Sequence, residues 1–436
     1  MFPAPFRLLL IAIVAVYSYS HAQEFDLYTS GFVSQGFLIS SGNHFLVDKS
    51  KEGSFELNET GIVVQANPSN QLRVGIQLLA RDLGEEGNNQ VFVDWAMGDY
   101  HWRDYLGIRA GKIKLPLGLY NQGRDIDMLR TSILLPQSVY VEDQRDFVLA
   151  QEGISLYGNL PLRGTGYFDY EVYCGTLNVP NPSKGFWGNV FDSNGLFAAN
   201  EIRRGYATQH GADTATATIQ FLGSYDEKVQ FPVVYGGAFT WSPSVPGLRL
   251  GTTWFFGEFD MSTRWQYALS VTDSNGTLRE FTTQVTFNNE FHIDQIASFS
   301  VEYIWNRFTT AAEYNTLVLD QGLGHANRED GFYAMGSYRI NSWLTCGSYY
   351  SVFHANSNDR NGNFATEQGL PAYLAWERDL VFNARVDLSD HWLVKAEYHY
   401  LDGVALREDI RIFEDYQKEK LVRYWNALLL KTTVHF

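Results

Sequence analysis

Short runs in which apolar and polar residues alternate recur along most of the chain. Between residues 72 and 80, Leu72, Val74, Ile76 and Leu78 hold one parity, and Arg73, Gly75 and Gln77 hold the other. Side chains in a strand point alternately to opposite faces, so such a run reads as a strand with one apolar and one polar face. Residues 106–114 show the same pattern, with Leu106, Ile108 and Ala110 opposite Gly107, Arg109 and Gly111. Strands are predicted over 31–39, 55–66, 72–80, 91–100, 106–114, 153–160, 168–176, 233–241, 248–259, 296–304, 308–318, 331–340, 344–352, 378–388, 392–400 and 423–436. Residues 260–295 are read as a hairpin projecting above the wall around Asn275-Gly276, a strong turn signal. Two further spanning strands there, 18 in all, are the alternative.

Short turns and longer loops alternate between these runs. That asymmetry, with strands of roughly 9–11 residues, is the signature of a transmembrane antiparallel up-and-down β-barrel, here of 16 strands. A soluble sandwich gives no reason for it. Residues 1–22 fit a secretory leader: Arg7, an apolar run over residues 8–16, and a small-x-small site at Ser20-His21-Ala22. Residues 23–436 then form a single barrel domain. The last run places Leu428, Leu430, Thr432, Val434 and Phe436 on one face. Ending on an aromatic resembles the C-terminal signal of bacterial outer-membrane proteins, so Phe436 is expected to serve assembly through the barrel-assembly machinery.

Composition sharpens this picture. Aromatic content is 15%, and Gly outnumbers Pro 38 to 12, which suits strands facing lipid on one side and water on the other. The net charge is −16. Removing residues 1–22 takes away one arginine and no acid, leaving −17, so no affinity for nucleic acid is expected. Two cysteines, Cys174 and Cys346, make no disulfide framework, although one bridge is open to an exported chain. No metal-ligand spacing, phosphate loop or serine–histidine motif is recognisable. No catalytic residue, metal or cofactor is therefore expected.

The connection over residues 115–152 is far longer than most. Its second residue is Pro116, which cannot donate to a strand ladder. It carries both apolar residues (Met128, Leu129, Ile133, Leu134, Leu135) and mixed charge, and reads as a folded loop after strand 5 that lies inside the barrel and narrows its bore. The segment Gly111-Lys112-Ile113-Lys114-Leu115-Pro116-Leu117-Gly118-Leu119 resembles the strand-to-loop motif of the phosphate-selective porin superfamily. Gly31-Phe32-Val33-Ser34-Gln35-Gly36-Phe37 and residues 71–82 are similar to the N-terminal half of porins of that group. The resemblance covers about residues 30–160. It implies a homotrimer of 16-stranded porins with the loop after strand 5 folded inward. It implies no particular solute, because the dense pore arginines of phosphate-selective members are missing; dicarboxylate-type porins are a related possibility.

Selectivity in a pore comes from bore and from charge at the constriction. Charge on a lipid-facing position is costly, so charged strand residues are assigned to the lumen. The pore-lining and constriction candidates are Arg73, Arg109, Lys114, Arg124, Asp125, Asp127, Arg130, Arg145, Arg385 and Lys395. The expected activity is passive diffusion of small hydrophilic solutes, with small anions such as phosphate or dicarboxylates favoured. Outer-membrane lipid and lipopolysaccharide are the expected surroundings. A barrel enzyme of the lipase type and a structural or adhesin barrel are the competing readings.

Overall fold

Sixteen antiparallel strands close on themselves, each bonded to its neighbours in sequence and β1 bonded to β16. The computed structural model describes residues 26–436 except 85, 180, 181, 183, 211–216, 273, 274, 321–325 and 407–420. The expected leader, 1–22, lies outside the described residues. The strands are β1 (Asp26–Ser41), β2 (Asn58–Ser69), β3 (Leu72–Asp82), β4 (Phe92–Arg103), β5 (Leu106–Lys114), β6 (Ala150–Leu162), β7 (Gly166–Leu177), β8 (Thr218–Ser242), β9 (Leu248–Thr272), β10 (Leu278–Trp305), β11 (Phe308–Asp320), β12 (Ala326–Arg339), β13 (Leu344–His354), β14 (Trp376–Ser389), β15 (Trp392–Gly403) and β16 (Tyr424–His435). Closure leaves the ring no open edge.

The alternation read from sequence is the alternation of the wall. On β15, Leu393, Lys395, Glu397, His399 and Leu401 are buried, while Tyr398 and Tyr400 are exposed. Exposed apolar residues such as Val74, Ile108, Ile154, Val172, Phe382 and Leu430 form the outward belt. Aromatics edge it at the short-turn end: Trp102, Tyr105, Trp241, Trp305, Trp343 and Trp392 are all exposed. An apolar band flanked by aromatics is what a lipid-facing barrel needs. No helix among the described residues is long and apolar enough to cross a membrane.

The hairpin expected to project above the wall over residues 260–295 is present, and one further element goes beyond the sequence reading. β9 and β10 run on past the expected wall and pair from Leu278↔Thr272 down to Tyr303↔Leu248, with one register shift between Ile293 and Ile296. Residues 260–295 thus continue two existing strands and add none to the ring. Nothing in 260–272 breaks the period: Met261, Thr263, Trp265, Tyr267, Leu269 and Val271 are all buried on one face. That face is covered by helix α2 (Gly185–Gln209), which follows a single helical turn α1 (Arg145–Val148). Strand alternation alone assigns no element between residues 177 and 232, yet Trp187, Phe191, Ala198, Ile202 and Tyr206 recur at helical spacing. Trp187 and Phe191 pack with Phe231, Phe259 and Phe291. Gly195 allows the closest approach, since a Cβ there would press on Phe221 and Trp265, and its carbonyl accepts from the Tyr267 hydroxyl at 2.7 Å.

Candidate functional site

β5 stops at Lys114, and residues 115–149 turn into the barrel before β6 begins. Their hydrogen bonds reach β2, β3, β9, β11, β12, β15 and β16, which stand on opposite sides of the ring, so the segment crosses the interior. Three groups of contacts hold it.

On the β15–β16 side, Lys395 Nζ donates to the Asp127 carbonyl (2.7 Å), the Asp127 carboxylate (2.9 Å) and the Ser132 carbonyl (3.0 Å). The Thr433 hydroxyl donates to Asp127 at 2.8 Å, and Lys431 stands 3.5 Å from it. Burial opposes the charge on Asp127, but Lys431, Lys395 and Arg130 outweigh it and hold this carboxyl far below the usual range. Glu397 accepts the backbone N–H groups of Ile133 (2.7 Å) and Leu134 (3.2 Å). His399 lies between Asp379 (2.7 Å) and Glu397 (3.1 Å). Arg385 bonds the Met128 carbonyl and Asp387.

On the β2–β4 side, Lys114 pairs with Asp125 and with Asp94 (3.3 Å), and Gln77 also donates to Asp125. Arg145 pairs with Glu59 at 3.3 Å, and Arg124 with Glu142 at 3.1 Å. Arg124 also donates to the carbonyls of Tyr140 and Val141. Arg81 meets Asp146 at 2.9 Å and Glu142 at 3.5 Å. Burial raises Glu142, yet Arg124, Arg145 and Arg81 together pull it down to about 2. Arg130 donates to the carbonyls of Arg124 and Ile133 and so ties the segment to itself.

On the far wall the contacts are mostly neutral donors on carboxylates. Glu313 accepts from the hydroxyls of Tyr140 and Tyr333 and from the N–H of Leu119 (2.8 Å). The N–H of Gly118, at φ +61°, donates to Thr253 at 3.0 Å. Gly331 on β12 leaves room for the segment; a Cβ there would collide with the Ser138 carbonyl.

A second charged zone lies nearer the short-turn end. Asp99 pairs with Arg73 (2.8 Å) and Arg109 (3.3 Å), and Arg109 also pairs with Glu171 (2.9 Å) and lies over the Tyr157 ring. Across the ring, Arg249 holds Glu302 at 2.8 Å, and Tyr120 donates to the same carboxylate. The arginines here stand in front of their acids: Arg73 is 47% exposed against 7% for Asp99, and Arg249 46% against 4% for Glu302. On the long-loop side a cavity of about 740 Å³ is lined by His44, Asp48, Lys49, Asp143, Lys184 and Asp192.

The predicted site residues therefore fall into two groups. Lys114, Arg124, Asp125, Asp127, Arg145 and Lys395 meet in the buried pairs that fasten the segment. Arg73 reaches accessible space, and Arg385, Arg109 and Arg130 do so much less. Sequence reading missed Glu59, Arg81, Asp99 and Arg249, although each has the inward parity of its strand. It also missed Tyr140 and Tyr333, for which the pattern gave no signal. Cys174 and Cys346 are both free. No cluster of metal-ligating side chains occurs among the described residues.

No family model matches the chain, and no curated protein matches it. Among solved structures it is similar to Salmonella typhi OmpF in complex with daunomycin, with a TM-score of 0.50 and 11% identity over 94% of this chain and 97% of that one. The two share a fold. An anion-selective porin from Comamonas acidovorans follows at a TM-score of 0.49 and 9% identity, covering 95% of this chain and 100% of that chain. The outer membrane channel DcaP of Acinetobacter baumannii also scores 0.49 at 9% identity, with 94% and 97% covered.

Proposed function

We propose that the protein is an outer-membrane porin through which small hydrophilic solutes diffuse passively, with small anions such as phosphate or dicarboxylates preferred. A closed ring with an apolar outside and a charged inside supports membrane insertion, because lipid tolerates no open sheet edge. The segment over residues 115–149 is the constriction. The preference rests above all on the pairs of the lower wall, near the short turns, where the guanidiniums of Arg73 and Arg249 face the bore and their carboxylates lie behind. Charge in a narrow passage is screened less than charge on exposed loops, so the local basic lining outweighs the net −16 of the chain. Residues 1–22 direct export, Phe436 serves assembly, and the working form is a homotrimer related to the phosphate-selective porin superfamily.

Single-channel recording across a salt gradient tests this. The expected result is a stable conductance with a weak to moderate anion preference at 1 M salt, where the Debye length is about 3 Å. A protein without conductance removes the porin reading. A cation-selective pore at that salt removes the basic lining.

A further inference from the structure

The outward wall is apolar over most of its height, but at the long-loop end of β12–β16 it carries arginines. Arg378 and Asp402 have the outward parity of their strands, shared with the exposed Phe382, Tyr398 and Tyr400. Arg378 pairs with Asp402 at 3.3 Å, and Arg423 meets the same carboxylate at 2.6 and 3.2 Å. Two guanidiniums thus share one acid. Their side chains are 39% and 40% exposed against 16% for Asp402. Both lie by the ring of Trp376, at 5.1 and 5.5 Å, and Arg423 is 4.8 Å from the ring centre of Tyr424. Tyr424 stacks on Tyr400. Further round, Asp330 has the outward parity of the exposed Phe332, pairs with Arg360 and lies 3.0 Å from His354. Arg360 is half exposed and Asp330 buried. In a chain with a net charge of −16, the described residues of this outward arc set three arginines on two acids.

A guanidinium presents paired N–H donors that match phosphate oxygens, and a shared carboxylate fixes its orientation. Tyr and Trp settle at membrane–water interfaces. Directly below these arginines the wall offers Phe382, Leu428 and Leu430, all exposed, to acyl chains. We propose that this arc is a binding site for the phosphate groups of a phosphorylated glycolipid in the surrounding outer leaflet, with Arg378 and Arg423 as the principal donors. The proposal rests on the outer-membrane reading given above. A free phosphate ion uses only the two partly neutralised arginines. The lipid also gains the apolar wall beneath them.

The test is native mass spectrometry of the purified barrel with an acylated, bisphosphorylated glucosamine disaccharide, with the dephosphorylated lipid and with inorganic phosphate. The wild-type protein should retain the phosphorylated lipid against a large excess of inorganic phosphate. Arg378→Gln with Arg423→Gln should weaken it by at least about tenfold, the scale of lost charge-assisted hydrogen bonds. Heat-modifiable migration in SDS shows that the variant is still folded. Equal retention of both lipids, equal retention by the variant, or displacement by inorganic phosphate overturns the site. Conductance is recorded in parallel: lipid binding without conductance overturns only the porin reading, and conductance without lipid discrimination overturns only this one.

Discussion

Arg124 and Arg145 lie in the crossing segment, while Arg73 and Arg249 stand on the lower wall. The first two are 2% and 1% exposed, each locked to a carboxylate, whereas nearly half of each of the second pair is open. In sequence they look alike: arginines in a channel-like chain, all assignable to the interior. Their difference teaches that interior charge in a barrel has two uses. A charge removed from water needs its partners, and losing one partner leaves the other uncompensated. A charge facing a wet passage loses little by pairing and still acts on solutes. The first kind fastens the crossing segment to the wall. The second kind stays open to solvent, where the proposed selectivity needs it.

The sharpest way to break this distinction is Arg145→Ala. It leaves Glu59 with Lys431 alone, at 2.8 Å, so the cost should fall towards the lower end of the range of about 3–5 kcal/mol seen for buried pairs opened on one side. Denaturant unfolding in detergent measures it, and an unshifted midpoint sinks the structural role. Arg109→Ala with Arg130→Ala comes next, because both residues sit between the extremes at 18% and 15% exposed. A shift of reversal potential towards cations and a modest loss of stability are both expected; either one alone places the pair in one group. Arg73→Ala with Arg249→Ala should shift the reversal potential the same way and change stability by only about 0–1 kcal/mol. A large fall in unfolding midpoint there would mean that the lower-wall pairs are structural too.

Acid titration separates the groups more gently. Glu142 is held near 2 in the folded chain, below the usual glutamate value of about 4.3. The folded state therefore binds fewer protons than the unfolded state between those values. Its contribution is full above about pH 4.3 and is lost as the pH falls through about 2. Glu142→Gln should flatten the stability profile in that window, and a profile as steep as wild type would show that Glu142 is not the group involved. Deleting Phe436 touches neither set of arginines. Its backbone pairs with Gly31 at 3.0 Å in both directions and its ring is exposed. Assembled yield should fall while single molecules conduct normally; a normal yield excludes an assembly role.

Much of the fold was legible because a strand writes its two faces into alternate residues. Leu72–Asp82 and Leu106–Lys114 begin where the pattern begins, and the length and charge of residues 115–152 marked the segment that enters the barrel. What escaped needed partners distant in sequence. α2 has a helical stripe, but it gains a reason to fold only where the extended face of β9 offers Trp265 and Tyr267. Arg81 lies just past the point where the predicted third strand stopped, one residue short of being counted on the lumen face. The division of arginines into buried and open could not be read at all. It depends on which carboxylate stands behind each one, as Asp99 does for Arg73 and Glu59 for Arg145.

The crossing segment also has a mechanical consequence. It is fastened at Glu313 on β11 and, half the ring away, at Glu59 on β2 and Gln77 on β3, so it works as a tie-beam between two faces of a hoop. A bare ring of strands can ovalise under lateral pressure by shearing its ladders slightly. A hoop with a tie-beam resists deformation along that chord, and any passage beside the beam keeps its width. Stretching or thickening the surrounding bilayer should therefore leave the conductance of this barrel nearly constant.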